Sequence, residues 1–313
     1  MVHLRRAARG GIALGALATA AALVATLAAC SPADTSRLEP ASAEQQVLIF
    51  PDVTVVEDIA YGPHALQRLD VCQPADAATS ALNNGPRRAV LSVHGGSWRE
   101  GDKASLPWRS ACEWLASEGF VAFSLNYSLA PMNPYPAAIT DLQTAVDWLR
   151  QPAQVAAYGY DPALIGAFGG SAGGNLVSLL GASGTGPWDT GTRVAAVVEL
   201  SGPVDLTSDG AVDYPEELAR HQLEYLGCAT YANCAAAMAA SVQPMLDASD
   251  PPYFIAHSTS ELVPVAHAEL LVDALVVNQI PHRYVERPGS AHSLALLDDA
   301  LRAQIIEFLR DHL

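Results

Sequence analysis

The run Gly169-Gly170-Ser171-Ala172-Gly173 fits the pattern G-x-S-x-G, which sets a serine between a strand and a helix. Its glycines permit a turn too sharp for larger side chains, and that turn lifts the serine clear of the backbone. The positive end of the following helix lies beneath the hydroxyl, so Ser171 suits nucleophilic attack at a centre that gathers negative charge. Chance alone supplies this pattern in about one of ten chains of this length, given Gly and Ser near 7% each. Its context adds weight: an apolar run, Leu164 to Phe168, precedes it, and an apolar helical stretch from Ala172 to Leu180 follows.

A nucleophilic serine needs oxyanion donors and a base. The segment His94-Gly95-Gly96-Ser97-Trp98 follows an apolar run that ends at Val93. A glycine pair at a strand end lets the N–H groups of Gly95 and Gly96 point into a cavity, and the N–H of Ala172 supplies a third donor. His94 reads as the residue that orients this loop. The base is His292, in Pro288-Gly289-Ser290-Ala291-His292-Ser293, because it lies in a glycine-containing turn between the last apolar strand and the terminal helix. Its ordinary pKa near 6.5 suits it to take the serine proton. His64, His221, His267, His282 and His312 fall in loops, strands or helices without that glycine support.

These residues need a scaffold of strand ends. Val53 to Ile59 and Leu69 to Cys72 predict an opening hairpin. Arg88–Val93, Phe120–Leu125, Leu164–Phe168, Val194–Leu200, Tyr253–Ala256 and His282–Val285 predict short buried strands. Helical patterns lie over Leu106–Ser117, Ala137–Leu149 and a terminal Leu294–Leu309. Strands alternating with helices imply an α/β fold, a mostly parallel central sheet with helices on both faces. Residues 205–250, with Pro215, two cysteines and an Ala-rich run, predict a short irregular insertion over the site.

With these motifs placed, the chain resembles an α/β-hydrolase of the bacterial esterase group related to hormone-sensitive lipase and to feruloyl and acetyl esterases. The resemblance rests on His94-Gly95-Gly96-Ser97-Trp98, Asn126-Tyr127-Ser128-Leu129-Ala130-Pro131, Pro134 to Pro136 followed by Asp141, Gly169 to Asn175, and Gly289-Ser290-Ala291-His292. They stand in the family's order across residues 53–313. The family commonly carries His-Gly-x-x-Asp-x-x-Val-Pro before its last strand. Here the stretch reads His257-Ser258-Thr259-Ser260-Glu261-Leu262-Val263-Pro264, one residue short between its landmarks. The resemblance thus makes Glu261 the acid that orients His292. Asp250 and Asp273 are the alternatives, and Glu261 as a plain helix cap is the structural one.

The resemblance implies a serine carboxylesterase acting through an acyl-enzyme, with no cofactor. An amidase or peptidase using the same groups, and a silent binding protein on the same scaffold, remain open. The expected partner is a small-molecule or carbohydrate-linked ester. Trp98, Tyr127, Trp188 and Leu226 are candidates to line its pocket.

Composition bounds the rest. Half of the 313 residues are apolar, which excludes a disordered chain. Lys and Arg number 17 against 33 Asp and Glu, a formal charge of −16 that disfavours nucleic acid. Arg5, Arg6 and Arg9 precede an uncharged Ala- and Leu-rich stretch that ends Leu27-Ala28-Ala29-Cys30. That is the form of a secretory signal, and its end resembles a bacterial lipoprotein's lipid-acceptor site. Residues 1–29 are therefore expected to be removed, Cys30 lipidated, residues 30–46 a flexible tether, and 47–313 one catalytic domain. Without the signal the charge becomes −19, so only a lipid anchor would hold this exported body at the outer face of a membrane. The four other cysteines suit an oxidising compartment. Cys228 and Cys234 flank a short loop and are the expected pair, which leaves Cys72 with Cys112. No paired C-x-x-C or His at ligand spacing points to a metal.

Overall fold

Eight strands form one sheet in the order β1-β2-β4-β3-β5-β6-β7-β8. The computed structural model describes residues 50–75 and 87–313, so the expected signal, Cys30 and the tether lie outside the described residues. Strands β1 (Val53–Ala60) and β2 (Arg68–Pro74) make an antiparallel hairpin, and β2 runs antiparallel to β4 (Val121–Leu125). From β4 onward every pairing is parallel, through β3 (Arg87–Val93), β5 (Tyr160–Gly170), β6 (Ala196–Leu200), β7 (Tyr253–Ser258) and β8 (His282–Arg287). All residues of β4, β6 and β7 are buried, as continuous apolar runs covered on both faces require.

Two apolar layers flank the sheet. On one face α1 (Leu106–Ser117) and the terminal α8 (Asp299–His312) pack Trp108, Trp114, Leu301, Ile305 and Phe308 against Phe168 and Phe254. On the other, α2 (Ala137–Leu149), α4 (Ala172–Gly181) and α7 (Ala266–Val277) cover Leu91, Phe123, Val197 and Ile255. A short α3 (Pro152–Tyr158) begins with Pro and ends at the left-handed Gly159, the usual signals for both ends. Disulfides join Cys72 on β2 to Cys112 on α1 and Cys228 to Cys234. The first fastens a covering helix to the sheet. The second closes the loop behind α5 (Glu216–Leu226).

Two expectations about elements need correction. The segment 205–250 is not irregular throughout: it contains α5 and the short α6 (Ala235–Ala239). Leu218, Gln222, Tyr225 and Leu226 form a buried stripe on α5 at helical spacing, among charged residues that face outward. The terminal helix also starts later than Leu294. Residues Ser293–Leu296 form a 3-10 turn, and α8 opens at Asp298, whose carboxylate accepts the Leu301 N–H at 2.8 Å. Among the described residues, no helix is long and apolar enough to cross a membrane.

Candidate active site

The parallel strands deliver the singled-out residues to one edge of the sheet. β3 ends at Val93 and leads into the His94–Trp98 loop, while β5 ends at Gly170 and turns directly into α4 at Ser171. β7 precedes Glu261 and β8 precedes His292. Ligand sites of open α/β sheets lie at these carboxyl ends.

Ser171 has φ 57° and ψ −125°, a conformation that L residues with a side chain rarely adopt. Its surroundings hold it there. The Ser171 N–H donates to Leu200 O at 2.8 Å, and its carbonyl accepts the Asn175 N–H at 3.1 Å as α4 begins. At Gly173 a side chain would run into Val93 O and the His94 backbone, so the helix can seat against the end of β3 only with glycine there.

The Gly95–Gly96 loop lies against this elbow. A Cβ on Gly95 would come within 2.8 Å of Gly170 O and 3.0 Å of the Ser171 Cβ. Both loop carbonyls are held by other partners: Gly95 O by His94 Nδ1 at 2.7 Å, and Gly96 O by the N–H groups of Arg99 and Glu100 at 2.9 and 3.0 Å. The N–H groups of Gly95 and Gly96 donate to no protein acceptor among the described residues. Gly96 has φ 118°, which glycine alone adopts freely.

His94 is buried beneath the loop, stacked on Tyr127 with ring centroids 4.3 Å apart. The Tyr127 hydroxyl donates to His94 O at 2.9 Å. Burial lowers the His94 pKa to about 4, so its imidazole is neutral and its Nδ1–H faces Gly95 O. This geometry suits orienting the loop.

His292 and Glu261 meet: His292 Nδ1 is hydrogen-bonded to Glu261 Oε2, and the Glu261 side chain is fully buried while that of His292 is one-quarter exposed. Oε1 of Glu261 accepts the Ser258 N–H at 3.1 Å and lies 3.2 Å from His257 Nε2. Two serines bracket the His292 turn. Ser258 Oγ donates to Ala291 O at 2.7 Å, and Ser201 Oγ accepts the Ser293 N–H at 2.9 Å. Ser293 Oγ also fills the space where a side chain on Gly170 would go, which puts the His292 turn beside the serine elbow. Ser201, Ser258 and the buried Glu199 escaped sequence reasoning. They sit in strands or turns that read as ordinary core, and no motif singles them out.

Neither alternative acid belongs to this group. Asp250 pairs with Arg193 at 3.3 Å and accepts the Asp247 N–H, while Asp273 is an exposed residue of α7. The pocket candidates separate as well. Trp98 stacks on Tyr225 of α5 at 4.5 Å, and its Nε1–H donates to Asn175 Oδ1 at 3.2 Å. Asn175 in turn donates to Ala240 O at 3.3 Å, and Arg99 pairs with Glu224. These contacts dock the insertion onto the Gly95–Gly96 loop. Tyr127 and Leu226 are buried core residues. Trp188 lies beyond the far end of α4 and donates to Ser249 O at 2.7 Å, so it is remote from Ser171.

Residues 69–275, about two thirds of the chain and including Ser171 and Glu261, match the family model described as BD-FAE. The chain belongs to the BD-FAE family. Among curated relatives, this BD-FAE protein is 30% identical over 264 residues to the probable carboxylic ester hydrolase LipM of Mycobacterium tuberculosis, covering 82% of this chain and 60% of LipM. It is likewise 30% identical over 257 residues to esterase LipC of the same organism, covering 77% of this chain and 60% of LipC. The chain thus spans about three fifths of the length of these relatives. Its fold resembles a truncated carbohydrate esterase from gut microbiota, with TM-score 0.71, 21% identity, 83% of this chain and 96% of that one covered. Together with the sheet order, that likeness identifies an α/β-hydrolase fold.

Proposed function

We propose that this protein is a serine carboxylesterase. Ser171 Oγ attacks the ester carbonyl carbon while His292 takes the hydroxyl proton, and Glu261 stabilises the resulting imidazolium. The Gly95, Gly96 and Ala172 N–H groups receive the oxyanion. Collapse breaks the bond to the alcohol, which leaves with the proton from His292. Water, deprotonated by the same histidine, then attacks the Ser171 ester and releases the acid. The observation that carries this reading is the Glu261–His292 pair on a turn set beside a serine in the strained elbow. The curated ester hydrolases among its relatives support the choice of bond.

Ser171→Ala is expected to abolish release of p-nitrophenol from p-nitrophenyl acetate while circular dichroism stays native. Undiminished turnover in that variant would refute the assignment. For the substrate we infer a short acyl ester, including one borne on carbohydrate, in line with the fold shared with a carbohydrate esterase. We also infer export and a lipid tether at Cys30, supported by Leu27-Ala28-Ala29-Cys30 and by two disulfides in the body. Cys30→Ala should then appear in the soluble fraction rather than with membranes.

A further inference from the structure

The loop that carries Gly95 and Gly96 is strained, and the insertion helps to hold it. Gly96, Ser97 and Trp98 have φ of 118°, 50° and 57° in succession, and the side chains of Ser97 and Trp98 disfavour that left-handed region. A backbone bent this way keeps its shape only where its surroundings fix it. Gly96 O accepts the N–H groups of Arg99 and Glu100, so the turn from Gly96 to Glu100 is tight and a shift of Trp98 turns the Gly96 backbone with it.

Trp98 is buried and fixed at several points. Its carbonyl accepts the Ala130 N–H at 2.9 Å. At the edge of the indole, Nε1–H donates to Asn175 Oδ1 at 3.2 Å, one helical turn beyond Ser171 on α4. Across its face, the indole lies flat on the Tyr225 ring of α5, with centroids 4.5 Å apart and planes 5° from parallel. Tyr225 is anchored in turn: its carbonyl accepts the Tyr135 N–H at 2.6 Å, and the Tyr135 ring meets it edge-on at 6.0 Å between centroids. The Tyr225 hydroxyl is buried with no hydrogen-bond partner among the described residues, so what this side chain offers Trp98 is its ring face. The neighbouring Arg99–Glu224 pair is exposed to solvent and restrains the loop less.

We propose that Tyr225 is a positioning residue for the oxyanion hole: its ring, stacked on Trp98, keeps the Gly95 and Gly96 N–H groups aimed at the oxygen of the Ser171 adduct. The proposal rests on the Ser171 reading above and gives the insertion a part in the chemistry. Stacked rings prefer one mutual orientation, so a flat aromatic face fixes the tilt of the indole where an aliphatic side chain of similar bulk leaves it free. A displacement of about 1 Å at a reacting group costs about 100-fold in rate. Both rings are buried, so their effect falls on the transition state rather than on substrate binding.

The test compares native protein, Tyr225→Phe and Tyr225→Leu by steady-state kinetics with p-nitrophenyl acetate. Inhibition by phenylboronic acid, which forms a tetrahedral adduct on a nucleophilic serine, is measured alongside, and circular dichroism confirms folding. Tyr225→Phe keeps the ring face and should hold kcat within about threefold of native. Tyr225→Leu should lower kcat and kcat/KM together by about 10- to 100-fold and weaken phenylboronic acid in proportion, the pattern of an interaction made only in the transition state. Tyr225→Met, an unbranched residue that fills uneven space, serves the same comparison where Leu does not fold. A folded Leu or Met variant with native kcat, whether or not KM rises, would overturn the proposal. So would a folded Tyr225→Phe that loses more than about tenfold in kcat. Labelling of the native protein by a fluorophosphonate probe separates the two levels. Labelling at Ser171 with an unaffected Tyr225→Leu overturns only the positioning role, whereas absence of labelling overturns the serine reading and this inference together.

Discussion

Replacing Glu199 by Gln should stabilise the folded protein at alkaline pH and leave it unchanged near pH 5. Glu199 is fully buried at the end of β6. Its Oε1 accepts the Gly202 N–H, and its Oε2 has no hydrogen-bond partner. Burial first, and the nearby Glu261 charge in addition, push its pKa from an ordinary 4.5 up to about 8, against the opposing pull of the Gly202 N–H. An acid whose pKa is higher in the folded state weakens the fold as pH rises. Above 4.5 the unfolded chain releases a proton that the native protein keeps until about 8. Each pH unit in that interval then costs about 1.4 kcal/mol, approaching about 5 kcal/mol in all. Gln has the same shape, still accepts the Gly202 N–H and releases no proton. Titrations elsewhere cancel in the difference between the two proteins. Urea unfolding at pH 5 and pH 8.5, with disulfides intact, should give equal midpoints at pH 5 and a variant several kcal/mol more stable at pH 8.5. Parallel pH dependence in the two proteins would refute the reasoning.

Three further outcomes follow from the same geometry. Gly95→Ala keeps the backbone N–H but puts a methyl group against Gly170 O and the Ser171 Cβ, which displaces the proposed oxyanion donor and should lower kcat about 100- to 1000-fold; steady-state kinetics on a folded variant will show it. Removing the Cys72–Cys112 bridge, which spans 40 residues, should cost about 4 kcal/mol by loop entropy in the unfolded chain, read from urea midpoints of the double Ala variant. Ser258→Ala removes the hydroxyl that holds Ala291 O, and should lower kcat about tenfold with KM unchanged.

The candidate site was legible where chemistry demands an unusual residue in a fixed context. Glycines around Ser171 and after Val93 mark backbone that must approach closely, and their positions at strand ends gave the sheet its carboxyl edge. The candidate acid was harder to read, because the turn after β7 is one residue short; the structure brings Glu261, rather than Asp250 or Asp273, to His292. What stayed hidden depends on tertiary contact. Glu199 sits in a strand of apolar neighbours, where its sequence says nothing of the carboxylate beside it. The hydroxyls of Ser201 and Ser258 acquire their partners only when β6, β7 and the His292 turn are brought together. Helix α5 was obscured by its charged outward face, Glu216, Glu217, Arg220 and Glu224, which dilutes its apolar stripe. The apolar run before α8 misled in the opposite sense: Leu294, Leu296 and Leu297 look helical, but the Asp298 cap sets where the helix begins.

The central claim is that Ser171 becomes acylated, and intact-protein mass spectrometry after rapid acid quench of a p-nitrophenyl acetate reaction tests it most directly. The account predicts a single added acetyl group, mapped by peptide fragmentation to Ser171 and absent from Ser171→Ala. An acetyl group mapped to another residue in place of Ser171, or p-nitrophenol release that persists undiminished in Ser171→Ala, would contradict it.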